Sequence, residues 1–219
     1  MAKLDDLLSS ASNPTGAPDQ ALGRMRAAVF AELEVPPARS WRGDVVMVIG
    51  VCWLAFVLAA VVLLAVGQLQ PALLMSRALP LGGLLFVGAF CAFASLAPRR
   101  PGQLLAGFGV AAVGLLGLVL VRGEGHVSAT APWVCTLSHL GLGAGPMVLA
   151  LMVLKKSAIH PARAALLGLG VGATGAMLGE LACEQSWAHV AVWHLGAWAG
   201  LAAIASVVSR RLVPRSYAP

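Results

Sequence analysis

Six apolar runs of about twenty residues, joined by short connections, leave this chain few ways to fold. They are Val45–Gly67, Ala78–Ala97, Leu104–Val121, Val134–Leu154, Ala164–Ala182 and Val190–Val208, and Glu180 is the one formally charged residue inside them. A hydrocarbon core about 30 Å thick takes ~20 helical residues to cross. In lipid, every backbone N–H and C=O must be satisfied within its own segment. The expected fold class is therefore all-α: a polytopic membrane protein, a six-transmembrane-helix bundle with up-and-down connections. Only 11% of the residues are charged, against about 25% in soluble domains, so a water-facing surface of domain size cannot be made from this sequence.

The basic residues set the expected orientation. Lys3, Arg24, Arg26, Arg39, Arg42, Arg99, Arg100, Lys155, Lys156, Arg163, Arg210, Arg211 and Arg215 all flank the runs on one side, and Arg77 and Arg122 on the other. By the positive-inside rule both termini are expected in the cytoplasm. The loops 68–77, 122–133 and 183–189 then face outward. The net charge of +6 is spent on topology and is no signature of nucleic-acid binding. The first apolar run is a full span with no short h-region and cleavage site, so no cleavable signal peptide is expected.

Residues 1–43 form the expected cytoplasmic head, 44–208 the membrane domain and 209–219 a cytoplasmic tail. Within the head, Asn13-Pro14-Thr15-Gly16-Ala17-Pro18 breaks the chain. From about 19 to 35, Leu22, Met25, Val29, Phe30 and Leu33 recur at helical spacing and Pro36-Pro37 ends the pattern. This amphipathic helix has no soluble core to pack on. Its apolar stripe must lie on the membrane surface, on another copy, or on a partner.

The fifth run carries Gly168, Gly172, Gly175 and Gly179 on one helical face. A bare face lets a neighbouring backbone approach closely, which is how helices associate in lipid. Gly145-Pro146 lies inside the fourth run and is expected to kink it.

Chemistry-bearing residues gather at the outer ends of runs four to six. Cys135 and His139 share a face at i, i+4, and Glu180 and Cys183 share another at i, i+3. His189 and His194 open the sixth run, and His126 precedes the fourth. Cys135 and Cys183 can remain thiols or form a disulfide in an oxidising compartment. With His139, Glu180, His189 and His194 they also offer zinc or another soft metal a ligand set. A bis-histidine haem site on His139 and His194 is a further reading, without a CxxCH attachment motif. Against these stands a plain one: Glu180 hydrogen-bonded or protonated, and the histidines interfacial beside a belt of Trp133, Trp187, Trp193 and Trp198. Cys52 and Cys91 are expected to be packing residues. No GxxxxGK[ST] loop, GxSxG elbow or HExxH motif is present, so an enzyme is not expected. The spans also lack the recurrent polar residues of a transport path.

Gly179-Glu180-Leu181-Ala182-Cys183-Glu184, Val192-Trp193-His194-Leu195-Gly196 and Ser209-Arg210-Arg211-Leu212, with Cys135 opening the fourth run, carry a resemblance. The chain resembles the NrsF-type six-span bacterial anti-sigma factors, over about Trp133 to Leu212. In size, layout and histidine content it is also similar to the six-span anti-sigma factors of light-induced carotenoid synthesis. The resemblance implies an inner-membrane protein that sequesters an extracytoplasmic-function sigma factor through Leu22, Met25, Arg26, Val29, Phe30 and Leu33. It implies release on an environmental signal: redox, metal, or light and singlet oxygen. Cys135 and Cys183 are then the candidate receiver. No cofactor is expected as a requirement, and the expected partners are the sigma factor and membrane lipid, not nucleic acid. The alternative is a membrane haem, redox or metal-binding protein using the outer His/Cys cluster.

Overall fold

The computed structural model describes residues 22–25, 27, 40–69, 71–98, 100–121, 131–155, 160–183 and 185–212. The chain divides into two units, Met1–Arg39 and Ser40–Pro219. In the first unit, residues 22–25 and 27 are helical, and Leu22 and Met25 are exposed. Arg26, Val29, Phe30 and Leu33 lie outside the described residues.

The second unit is helical, with no strand among the described residues. Its elements are α1 (Trp41–Ala65), α2 (Pro71–Ser76), α3 (Ala78–Leu96), α4 (Gln103–Val121), α5 (Pro132–Lys155), α6 (Pro161–Ala182) and α7 (Trp187–Leu212). All but the short α2 are long and apolar enough to cross a membrane, six such helices among the described residues. This is a multi-pass membrane protein. Large apolar side chains such as Leu79, Leu105 and Leu120 point outward, which hydrocarbon accepts at no cost.

Cap chemistry moves the ends of the spans. Span one, read from Val45, begins at Trp41 because Ser40 caps it, its Oγ accepting from the Gly43 N–H at 3.2 Å. It ends at Ala65. There Gly67 takes φ +72°, and the N–H groups of Gln68 and Leu69 turn back to the Leu63 carbonyl. Span six, read as Val190–Val208, extends from Trp187 to Leu212. The helix of α5 runs on through Pro146, which is buried.

Three pairs of packed spans run antiparallel. Gly107 meets Ala94 and Gly114 meets Val87, which sets α4 against α3. Gly143 meets Val171 while Gly175 meets His139, which sets α6 against α5. Gly168 meets Ala202 and Gly172 meets Trp198, which sets α7 against α6.

The centre of the bundle is α6. Of an 18-residue window in α6, 83% is buried, against 17% in α4. Its small residues explain the difference. A Cβ on Gly168 would lie 2.7 Å from the Ala202 Cα and 2.9 Å from the Leu201 carbonyl oxygen. On the opposite side, a Cβ on Gly170 would lie 3.1 Å from both the Gly88 carbonyl oxygen and the Cys91 Cβ. Only helices lacking side chains at these points can come together so closely. At its start, α6 is capped by His160, whose Nδ1 accepts from the Ala162 N–H at 3.3 Å ahead of Pro161. Buried Arg163 donates to the carbonyl of Ala97, the C-cap of α3. A cation there answers the partial negative charge of a helix C-terminus.

Candidate functional site

Where α5 begins, α6 ends and α7 begins, three helix termini meet at the end of the bundle opposite Arg163. Cys135 sits in the first turn of α5 with His139 one turn on. The Nδ1–H of His139 donates to the Cys135 carbonyl at 2.7 Å. A carbonyl only accepts, so Nδ1 carries the proton and Nε2 keeps a lone pair. That Nε2 is buried and has no hydrogen-bond partner among the described residues.

Cys183 is the C-cap of α6. Its N–H still bonds the Gly179 carbonyl at 2.9 Å, but its own backbone is extended, φ −128° and ψ 117°. The turn out of the helix breaks the i, i+3 relation with Glu180. Glu180 stays on the helix and pairs with Arg77, Oε2 to Nη1 at 3.6 Å. The carboxylate is therefore held by a cation from the α2–α3 junction.

The start of α7 carries a π turn over Val190–His194, closed by the Leu195 N–H donating to the Val190 carbonyl. Residues five apart on an α-helix point roughly 140° away from each other. The wider i→i+5 turn swings His189 and His194 to one side, and their rings meet at 5.3 Å between centroids. The Trp193 carbonyl inside this turn accepts from Thr136 Oγ1 at 2.7 Å, which ties α7 to α5. His194 also meets His139 edge to face at 4.5 Å. The two rings pack over Gly179, where an added Cβ would collide with the His194 ring and lie 3.1 Å from His139 Cε1.

One ligand atom each from Cys135, Cys183, His189 and His194 lies within 4.8 Å of the others. Cys183, His189 and His194 are buried and Cys135 is partly so. Cys135 and Cys183 are present as thiols, not as a disulfide. The arrangement can take up a soft metal ion, be oxidised to a disulfide, or hold protons within a thiol–imidazole cluster. Of the residues the sequence offered for metal, His189, His194 and Cys183 come together with Cys135. His139 stands behind His194, and Glu180 is drawn off by Arg77. His126 lies outside the described residues.

The haem reading does not fit. Two axial imidazoles must reach the iron from opposite faces of the macrocycle, with its plane between their rings, whereas His139 and His194 are in direct ring contact. The tryptophan belt also needs correcting. Trp133 and Trp187 are exposed as expected, but Trp198 is only 1% exposed and fills the space beside Gly172, its indole N–H donating to the Leu169 carbonyl. A side chain that size is used here as packing, because the glycine leaves a slot for it. Three features escaped the sequence reading: the π turn, the Thr136 tie and the second small-residue face at Gly170. Gly88 and Gly170 were visible as small residues, but nothing in the sequence marks a π turn.

No protein-family model matches the chain, and no solved structure matches it. The chain is similar to the carotenogenesis protein CarR of Myxococcus xanthus, 45% identical over 219 residues, which cover 99% of this chain and 97% of that protein.

Proposed function

Because the chain belongs to the family of the carotenogenesis protein CarR, we propose that it is a membrane-bound regulator of light-induced carotenoid synthesis acting as an anti-sigma factor. In this reading the amino-terminal segment binds an extracytoplasmic-function sigma factor, and the six spans hold the pair at the inner membrane. The observation that carries the reading is the identity with CarR along nearly the whole chain. The exposed apolar side chains of Leu22 and Met25 on a helical segment support it. An amphipathic helix of Leu22, Met25, Arg26, Val29, Phe30 and Leu33 suits a groove on a helical partner. Tethering removes the partner from the chromosome without any chemistry, so no enzymatic activity is assigned. Release requires a signal that changes the bundle. The thiol–imidazole cluster, built where three helices end, is the receiver in this reading.

The test is co-purification. Full-length tagged protein, solubilised from its own cells, is expected to bring down a sigma factor. Leu22→Asp and Phe30→Asp each place a charge in the apolar stripe and are expected to lower recovery of that partner at least tenfold, about 1.4 kcal/mol. Recovery equal to the parent from both variants overturns the assignment of the head.

Orientation has its own test. The excess of Lys and Arg at one end of the spans predicts both termini in the cytoplasm. Protease added outside spheroplasts is expected to leave an amino-terminal tag intact and to remove it after lysis. Cleavage of the tag in intact spheroplasts places the head outside, where no sigma factor can reach it.

A further inference from the structure

We propose that Cys135, Cys183, His189 and His194 bind one zinc ion, which locks the ends of α5, α6 and α7 together. Zinc favours four ligands in a tetrahedron, with Zn–S near 2.3 Å and Zn–N near 2.0–2.1 Å, so its donors lie about 3.3–3.8 Å from each other. The four side chains already place a donor atom each within 4.8 Å of the rest. Small rotations about side-chain bonds close that gap. Thiolate and imidazole together select a borderline-soft ion over magnesium or calcium, which take oxygen donors.

Two independent features point the same way. The π turn at Val190–His194 is a departure from α-helix that puts both histidines on the side facing the thiols. Such turns concentrate at functional sites. The second feature is His139, 5% exposed, whose Nε2 is buried beside the His194 ring with no hydrogen-bond partner among the described residues. A metal-bound imidazole donates its remaining N–H to a nearby acceptor, which orients the ring and raises its basicity. The lone pair on His139 Nε2 is such an acceptor. His139 is thus a positioning residue, itself oriented by the Cys135 carbonyl on the same helix.

Binding exchanges two S–H bonds for two Zn–S bonds, and the two protons pass to water. No oxidant or reductant is involved. The inference does not depend on the sequestration reading, since it concerns the metal content of the bundle alone.

The experiment is a cobalt(II) titration of full-length, detergent-solubilised protein, reduced and stripped of metal. One equivalent is expected to give intense visible bands of tetrahedral cobalt and a near-ultraviolet thiolate-to-cobalt band, both bleached by zinc. Cys135→Ser and His189→Ala are expected to lose the tetrahedral signal with helical content unchanged, and Cys52→Ser to keep it. His139→Ala is expected to keep the tetrahedral spectrum while weakening affinity about 10–100-fold. Failure of the parent protein to take up cobalt, weak octahedral bands, or a signal that survives in the Cys135→Ser/Cys183→Ser double variant overturns the proposal. The first two outcomes need no variant, so a misfolded mutant does not protect the idea.

Discussion

Gly168→Leu is expected to leave no correctly packed bundle to purify. The obstacle at this position is backbone. A Cβ alone would lie 2.7 Å from the Ala202 Cα and 2.9 Å from the Leu201 carbonyl oxygen. A neighbouring side chain can rotate away from an intruder, but a helix axis has to move. Overpacking a core costs about 1–3 kcal/mol even where side chains yield. Here α7 has to separate from α6 along the seam that also holds Trp198 against Gly172 and His194 against Gly179. Even Gly168→Ala is expected to lower stability by about 3 kcal/mol. The matched controls are Gly141→Ala in α5 and Gly200→Ala in α7, where an added Cβ meets nothing within 4 Å. Those substitutions are expected to be neutral or slightly stabilising, because alanine is the better helix former by about 1 kcal/mol. Unfolding of purified protein in a detergent series measures the three alanine variants against the parent, and Gly168→Leu is read by its yield of folded protein after solubilisation. Equal midpoints for Gly168→Ala and Gly200→Ala would show that the seam is looser than described.

The second large effect lies at Arg77 and Glu180. The carboxylate is 4% exposed and its cation 26% exposed, 3.6 Å apart. Removing one partner of a buried pair leaves the other charge stranded, at a cost of about 3–5 kcal/mol. Arg77 reaches water on one side, so Arg77→Met is expected near the lower end, about 3 kcal/mol. Glu180→Gln keeps the shape and one acceptor oxygen for Arg77, and is expected to cost less. The double variant Arg77→Met/Glu180→Leu is expected to recover most of the loss, since apolar replacements of buried pairs are often neutral. The same unfolding series, with Glu180→Leu added as the second single variant, closes a double-mutant cycle and gives the coupling. Additive losses would show that the two side chains do not act as a pair.

The glycine spacing 168, 172, 175, 179 announced one close-packed face on span five, and that face receives α5 and α7 as its neighbours. Gly88 and Gly170 belong to no such run of glycines, and there α3 approaches from the other side. The cluster was legible as a set of residue types at one depth, but not as a set of partners. Glu180 and Cys183 share a helical face by spacing, yet the cap at Cys183 turns one away while Arg77 draws the other. His189 and His194 are five apart, a spacing that belongs to no α-helical face, and only the π turn joins them.

What the chain determined alone is whatever depends on local composition. Runs with almost no charge must be helical and in lipid, and their lengths and number follow from bilayer thickness. Small residues at helical spacing mark where helices can approach closely; Gly141 and Gly145, also four apart, meet nothing within 4 Å, so the approach itself is decided elsewhere. Tertiary structure decided which face meets which helix, that α6 is the centre, that Trp198 is interior, and which two thiols and two imidazoles stand together. These are set by caps, a widened turn and an ion pair between elements far apart in sequence. Each is a choice among contacts of similar energy, and only the packed bundle ranks them.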